Sequence, residues 1–192
     1  MSTAVFQSLM ARLVIDPAWR RSVRDGGLPD DADLTGLERR RLNAIAASGG
    51  VDTNQTLHKG FRLGKIKALL PMTSTLLKGE ALHAALTAFW AQYPPKTFYF
   101  LPEAIEFCDF LLARPSTCPY LHEVAAFERA HLELQRARTD EPPVQTVRFV
   151  HNPSQLLGPL AQGRQPVSVE RRPCTAVGVC DPQGQAQWTL QA

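Results

Sequence analysis

The sequence predicts an α+β protein: an N-terminal multi-helix domain over residues 1–139, then a small β-α-β-β-β module over residues 140–192. Three observations carry this prediction. Apolar residues recur at helical spacing as far as about residue 139, in segments bounded by Pro or Gly. The composition breaks at Thr139-Asp140-Glu141-Pro142-Pro143. Beyond the break, apolar residues alternate with polar ones.

Each element follows from local signals. Val5, Phe6, Leu9, Met10, Leu13 and Val14 form one helical stripe. Asp16-Pro17 supplies a cap and a first-turn proline for a segment with Trp19 and Val23, stopped by Gly26-Gly27. Thr35 and Glu38 form a capping box, each able to satisfy a free N–H at the start of a helix. That helix carries Leu37, Leu42 and Ile45 and ends at Gly49-Gly50. A helix over about 53–70 is bounded by Pro71, and one over 79–93 presents Leu82, Leu86 and Phe89 until Pro94-Pro95. Pro102 opens a helix with Ile105, Phe107, Phe110, Leu111 and Leu112, closed by Pro115. Pro119 begins the last, with Leu121, Val124, Ala125, Phe127 and Leu132.

In the C-terminal module Val147 and Phe149 anchor a strand over 144–150. Asn152-Pro153 caps a short helix with Leu156, Leu157 and Leu160. Val167 to Arg171 alternates as a second strand, and Val177 and Val179 anchor a third. Asp181-Pro182-Gln183-Gly184 turns the chain into a closing strand with Trp188 and Leu190. So small a module cannot bury much surface alone and must dock elsewhere. It also cannot close a barrel, so it keeps an unpaired edge.

Composition bounds the function. A hydrophobic fraction of 44% and a charged fraction of 20% are those of a soluble globular protein. No apolar run reaches the roughly 18 residues of a membrane span. The N-terminus, with Arg12 in its apolar stretch, reads as a first helix, so the expected location is cytoplasmic. Cys108, Cys118, Cys174 and Cys180 lack zinc-site spacing and are expected as reduced thiols. A net charge of +3 is too weak to indicate nucleic acid, but its distribution is uneven. Lys59, Arg62, Lys65, Lys67 and Lys78 lie in a stretch without acids, whereas acids dominate from Glu103 to Glu128. These stretches either complement each other within the fold or leave a basic surface for an acidic partner.

Two Glu-x-x-His pairs, Glu80/His83 and Glu128/His131, each place a carboxylate and an imidazole on one helix face. Such pairs, with a further Glu from each of two more helices, build a di-iron site in a four-helix bundle. Glu103 or Glu106 supplies one carboxylate and the second is lacking, so a stand-alone di-iron enzyme is an alternative only. Glu80 at a helix start is also explained by the helix dipole. Gly60 and Gly64, one turn apart, suggest close helix approach within the fold or at an interface. His58, Arg62 and Lys65 share a face of the same helix beside Phe61, a candidate partner surface. Val167, Ser168, Val169, Glu170, Arg171 and Arg172, followed by Pro173, form the candidate edge strand for an incoming peptide. The rival reading is an edge whose charges repel other chains.

A longer pattern carries a family resemblance. It comprises Asn54, Leu57, Gly60-Phe61-Arg62-Leu63, Lys65-Ile66 and Leu69-Leu70-Pro71, then Leu76-Leu77 and Gly79. It continues through Phe89-Trp90, Tyr93-Pro94-Pro95, Phe107, Phe110-Leu111, Tyr120-Leu121, Val124-Ala125 and Phe127-Glu128. This is similar to the helical domain of partner subunits of multinuclear non-haem iron-dependent oxidative enzymes, with the thiaglutamate-pathway branch nearest. Those enzymes are TIM-barrel proteins that modify cysteines in ribosomally made peptides. The resemblance implies a heterodimer with the iron enzyme, and a C-terminal module that engages the substrate or scaffold peptide. It implies no catalytic residue, metal ligand or cofactor in this chain, since the iron belongs to the partner. A nucleic-acid-binding regulator is a further alternative, but no recognition helix is evident and neither nucleic acid nor membrane is an expected partner.

Overall fold

The computed structural model describes residues 3–30, 33–93, 100–136, 143–181 and 183–191. Among these residues it has nine helices and one three-stranded antiparallel sheet, an α+β architecture. The chain parts into two compact units, Met1–Arg62 and Leu63–Ala192. No helix among the described residues is long and apolar enough to cross a membrane.

The first unit contains α1 (Thr3–Ile15), α2 (Pro17–Arg24), α3 (Gly36–Ala47) and the start of α4 (Gly49–Leu69). The caps read from the sequence are present. Asp16 accepts the Trp19 N–H at 2.9 Å, and Thr35 and Glu38 form the reciprocal box. Leu13, Trp19, Val23, Leu42 and Ala46 make the core. Arg20 is buried beside it and donates to the carbonyls of Ala46 and Ser48, each at 2.8 Å, while pairing with Asp52. The last carbonyls of a helix have no intrahelical donor, and this guanidinium supplies one where α3 gives way to α4. Its hydrogen bond also holds the Asp52 carboxyl below its ordinary range.

The second unit holds the end of α4, then α5 (Pro71–Leu77), α6 (Gly79–Gln92), α7 (Phe100–Leu112) and α8 (Leu121–Arg136). These are followed by β1 (Val144–Phe149), α9 (Pro153–Ala161), β2 (Cys174–Cys180) and β3 (Ala186–Gln191). Phe89, Phe107 and Phe110 cluster at its centre, and Val147, Phe149 and Ala176 from the strands belong to the same core. The expected division at residues 139/140 is therefore corrected. A three-stranded sheet has one face to bury, and here it buries that face on α8, whose own residues line the shared core.

Helix α5 was not expected as a separate element. Pro71, read as a terminator, instead stands at its first position, where a missing N–H costs nothing. Leu70 offers no side-chain cap, so the cap comes from α8: Glu128 accepts the N–H groups of Met72 at 2.8 Å and Thr73 at 2.7 Å. At the other end the Gln165 amide donates to the carbonyls of Thr75 and Leu76. Seven residues are too few for a stable isolated helix, and these two distant side chains close both ends.

The sheet order is β1-β2-β3, with Val147, Ala176 and Leu190 in one cross-strand row and Gln145, Gly178 and Trp188 in the next. The expected strand at Val167–Arg171 does not form. Its backbone is committed elsewhere: the Glu170 N–H donates to the Gln155 side chain, and the Glu170 carbonyl accepts the Asn152 N–H. Pro166 and Pro173 bracket the segment, and neither has an N–H to give to a ladder. Val169 packs on the core and Val167 is fully exposed, which reproduces the alternation without pairing. Gly60 and Gly64 are not sites of close approach within the fold, because a Cβ on either meets no atom of the chain within 4 Å.

Gly178 is the glycine that packing requires. A Cβ there would stand 2.8 Å from two ring carbons of Trp188 and 2.9 Å from Leu134 Cδ1. Gly178→Ala should lower stability by about 1–3 kcal/mol through overpacking, read as a reduced urea midpoint with an unchanged slope.

Candidate functional site

Helix α8 and the sheet form the candidate site. On β1, Val147 and Phe149 face α8; on β2, Ala176 and Gly178 do; on β3, Trp188 does. Phe127 lies 4.8 Å from Trp188 and 6.1 Å from Phe149, ring centre to ring centre. The Cys180 thiol donates to the Leu134 carbonyl. At the start of α8, Glu123 accepts the N–H groups of Val150 and His151 and binds His151 Nδ1 at 2.6 Å. One helix thereby fixes all three strands.

The opposite sheet face carries Val144, Thr146, Arg148, Thr175, Val177, Val179, Gln187, Thr189 and Gln191. The hydrogen-bond parity of the strands follows from one turn contact. Asp181 donates its N–H to the Gln185 carbonyl, and these residues continue the β2–β3 register by one step. Main-chain groups alternate sides along a strand, so Thr175, Val177 and Val179 bond to β3, and Cys174, Ala176 and Gly178 bond to β1. The groups left pointing outward belong to Val144, Thr146 and Arg148 on β1, and to Ala186, Trp188 and Leu190 on β3. Among the described residues, these two rows have no strand partner and form the edges of the sheet.

The candidate residues fall differently from their sequence expectation. Val167, Ser168, Val169, Glu170, Arg171 and Arg172 form no edge, although Arg171 and Arg172 remain exposed. On α4, Phe61 is 55% exposed and Lys65 is exposed, His58 is partly so, and Arg62 is buried. The outward groups of β3 were missed as a site; the signal for them was a terminal strand with neither charge nor proline.

The two Glu-x-x-His pairs do not act alike. Glu80 and His83 lie on the exposed side of α6. Glu128 is 3% exposed and both its oxygens already accept backbone N–H groups of α5. Burial pushes its carboxyl pKa up, opposed by the hydrogen bonds from Thr73 and Met72. His131 accepts the Trp188 indole N–H at Nδ1, 3.3 Å away, and its Nε2 lies 3.1 Å from the Gln135 side-chain amide nitrogen. Among the described residues no group of three or more His, Cys, Asp or Glu could hold a metal ion. The four cysteines are free, and burial raises the Cys108 and Cys118 thiols away from thiolate chemistry.

No protein-family model matches the chain, and no curated protein matches it.

Two variants check this arrangement. Glu128→Gln turns one acceptor into a donor facing an N–H, and should cost about 1–3 kcal/mol in urea unfolding. Burial lowers the His131 pKa from its ordinary 6.5, so the unfolded chain binds the proton more readily than the folded one. Stability should accordingly fall as pH drops below that ordinary 6.5 towards the lower, folded value. His131→Asn keeps an acceptor for Trp188 and should flatten that part of the slope; an unchanged slope would remove His131 as its source.

Proposed function

We propose that this chain is a non-catalytic partner subunit that forms a heterodimer with an iron-dependent peptide-modifying enzyme. It binds the substrate or scaffold peptide and presents a cysteine to the partner's iron. The observation that carries the peptide half of this reading is the three-stranded sheet, buried on one face by α8 and, among the described residues, open along both edges. An extended chain gains main-chain hydrogen bonds by adding to such an edge, and alternate side chains supply selectivity. The enzyme half rests on the resemblance of the helical segments, supported by the apolar and basic residues exposed on α4, among them Leu57, Phe61, Lys59, Lys65 and Lys67.

Holding the peptide on a bound subunit turns a bimolecular encounter with the iron site into an intramolecular one. In this role the chain needs no nucleophile, base or metal of its own. The di-iron alternative is less favoured, because Glu128 is engaged as the cap of α5.

Co-expression with the iron enzyme followed by gel filtration tests the reading. The two chains should co-elute at about 1 μM, with iron in the complex, and Phe61→Asp should weaken the pair at least about tenfold, as loss of an apolar anchor does. Separate elution of the wild-type chains would defeat the proposal.

A further inference from the structure

We infer that a pH-sensitive latch holds β3 on α8: the hydrogen bond from the Trp188 indole to the His131 imidazole, which is made while the ring is neutral and broken when it takes a proton. The latch is a property of the fold and does not depend on the peptide-binding reading above.

β3 is the least secured strand of the sheet. The other outer strand, β1, buries Val147 and Phe149 against α8 at 4% and 2% exposure, and Glu123 holds the N–H groups of Val150 and His151 just past its end. On the α8-facing side of β3, Ala186 is only half-buried and Leu190 is 50% exposed. Trp188, between them, is the strand's anchor. Its ring lies 4.8 Å from that of Phe127 and packs where Gly178 has no Cβ. Its indole N–H donates to His131 Nδ1 at 3.3 Å.

A protonated imidazole carries an N–H on both ring nitrogens, so Nδ1 can no longer accept and two donors face each other. The half-buried indole N–H is then left unsatisfied. No neighbouring charge compensates. On α8 the ring lies against Phe127, with Gln135 beside Nε2. Glu128 is taken up by the N–H groups of α5, and Glu133 pairs with Arg136 and Arg129. Cys180 of β2 gives its thiol to the Leu134 carbonyl, Asp181 in the turn accepts from Gln183 and Gln185, and β3 has no charged residue. Arg148 of β1 lies on the opposite sheet face. Burial alone thus lowers the His131 pKa from its ordinary 6.5. Once β3 lifts away the ring is solvated and takes a proton more readily, so the closed latch is favoured above 6.5 and lost as pH falls below it.

The test follows amide hydrogen exchange in the full-length chain by NMR, corrected for the intrinsic rate at each pH. The N–H groups of Gln187 and Thr189 report β3 and those of Gln145 and Val147 report β1, since all four bond to β2. Between about pH 7.5 and about pH 5, protection at Gln187 and Thr189 should fall at least about fivefold, and at Gln145 and Val147 by less than about twofold. His131→Asn cannot take up the proton and should abolish the response of β3. If that variant loses its circular dichroism, Trp188→Phe, which has no indole N–H, decides in its place. A loss of protection shared equally by both strands would make His131 a contributor to global stability alone and overturn the latch. A β3 response that survives in the deciding variant, or none in the wild-type chain, would overturn it as well.

Discussion

The packing of α8 against one face of the sheet is the constraint on which the second unit depends. A sheet of three short strands cannot persist in water unless an apolar face is covered. Phe127, with Leu134 on the same helix, provides that cover. Each fully buried side chain of this kind contributes about 1.5–3 kcal/mol. The polar contacts set the geometry within which this burial operates: Glu123 holds the end of β1, His131 holds the Trp188 indole, and the Leu134 carbonyl accepts the Cys180 thiol.

The same helix reaches backward along the chain. Glu128 is a carboxylate removed from water, an arrangement that is costly unless its oxygens are satisfied. The first N–H groups of α5 satisfy them, and α5 in turn gains the cap its own sequence lacks. Gln165 completes α5 from the other end and so anchors the start of the segment that leads to β2. With Glu170 tied to Asn152 and Gln155, this segment is pinned at two points and cannot also serve as a strand. A network that uses its donors and acceptors in this way leaves the open hydrogen-bonding capacity to the two outer strands.

That distribution has a functional consequence for the proposal. The β1 side of the sheet is finished by protein on its inner face, and the β3 side is not. A sheet whose outer strand is uncharged and incompletely covered is prone to aggregate, and natural chains ordinarily blunt such edges. In the proposed complex, a peptide added to such an edge removes the liability and gains affinity from the same main-chain groups. Glu128 is engaged at both oxygens, and burial raises the Cys108 and Cys118 thiol pKa values.

Local chemistry was legible because it depends on neighbours in sequence. Asp16-Pro17, the Thr35/Glu38 box and Asn152-Pro153 each satisfy helix-end groups within a few residues, so the sequence alone placed those helix starts. Alternation placed β1, β2 and β3, and the weak charge set no strong expectation of nucleic acid. What needed the tertiary structure were the long-range partners. Pro71 opens a helix only because Glu128, 56 residues from Met72, caps it. Val167 to Arg171 has the pattern of a strand, but Gln155 and Asn152 take its backbone bonds. Periodicity reports which side chains are buried; it does not report which hydrogen bonds the backbone makes, and that choice decided which strand became the edge.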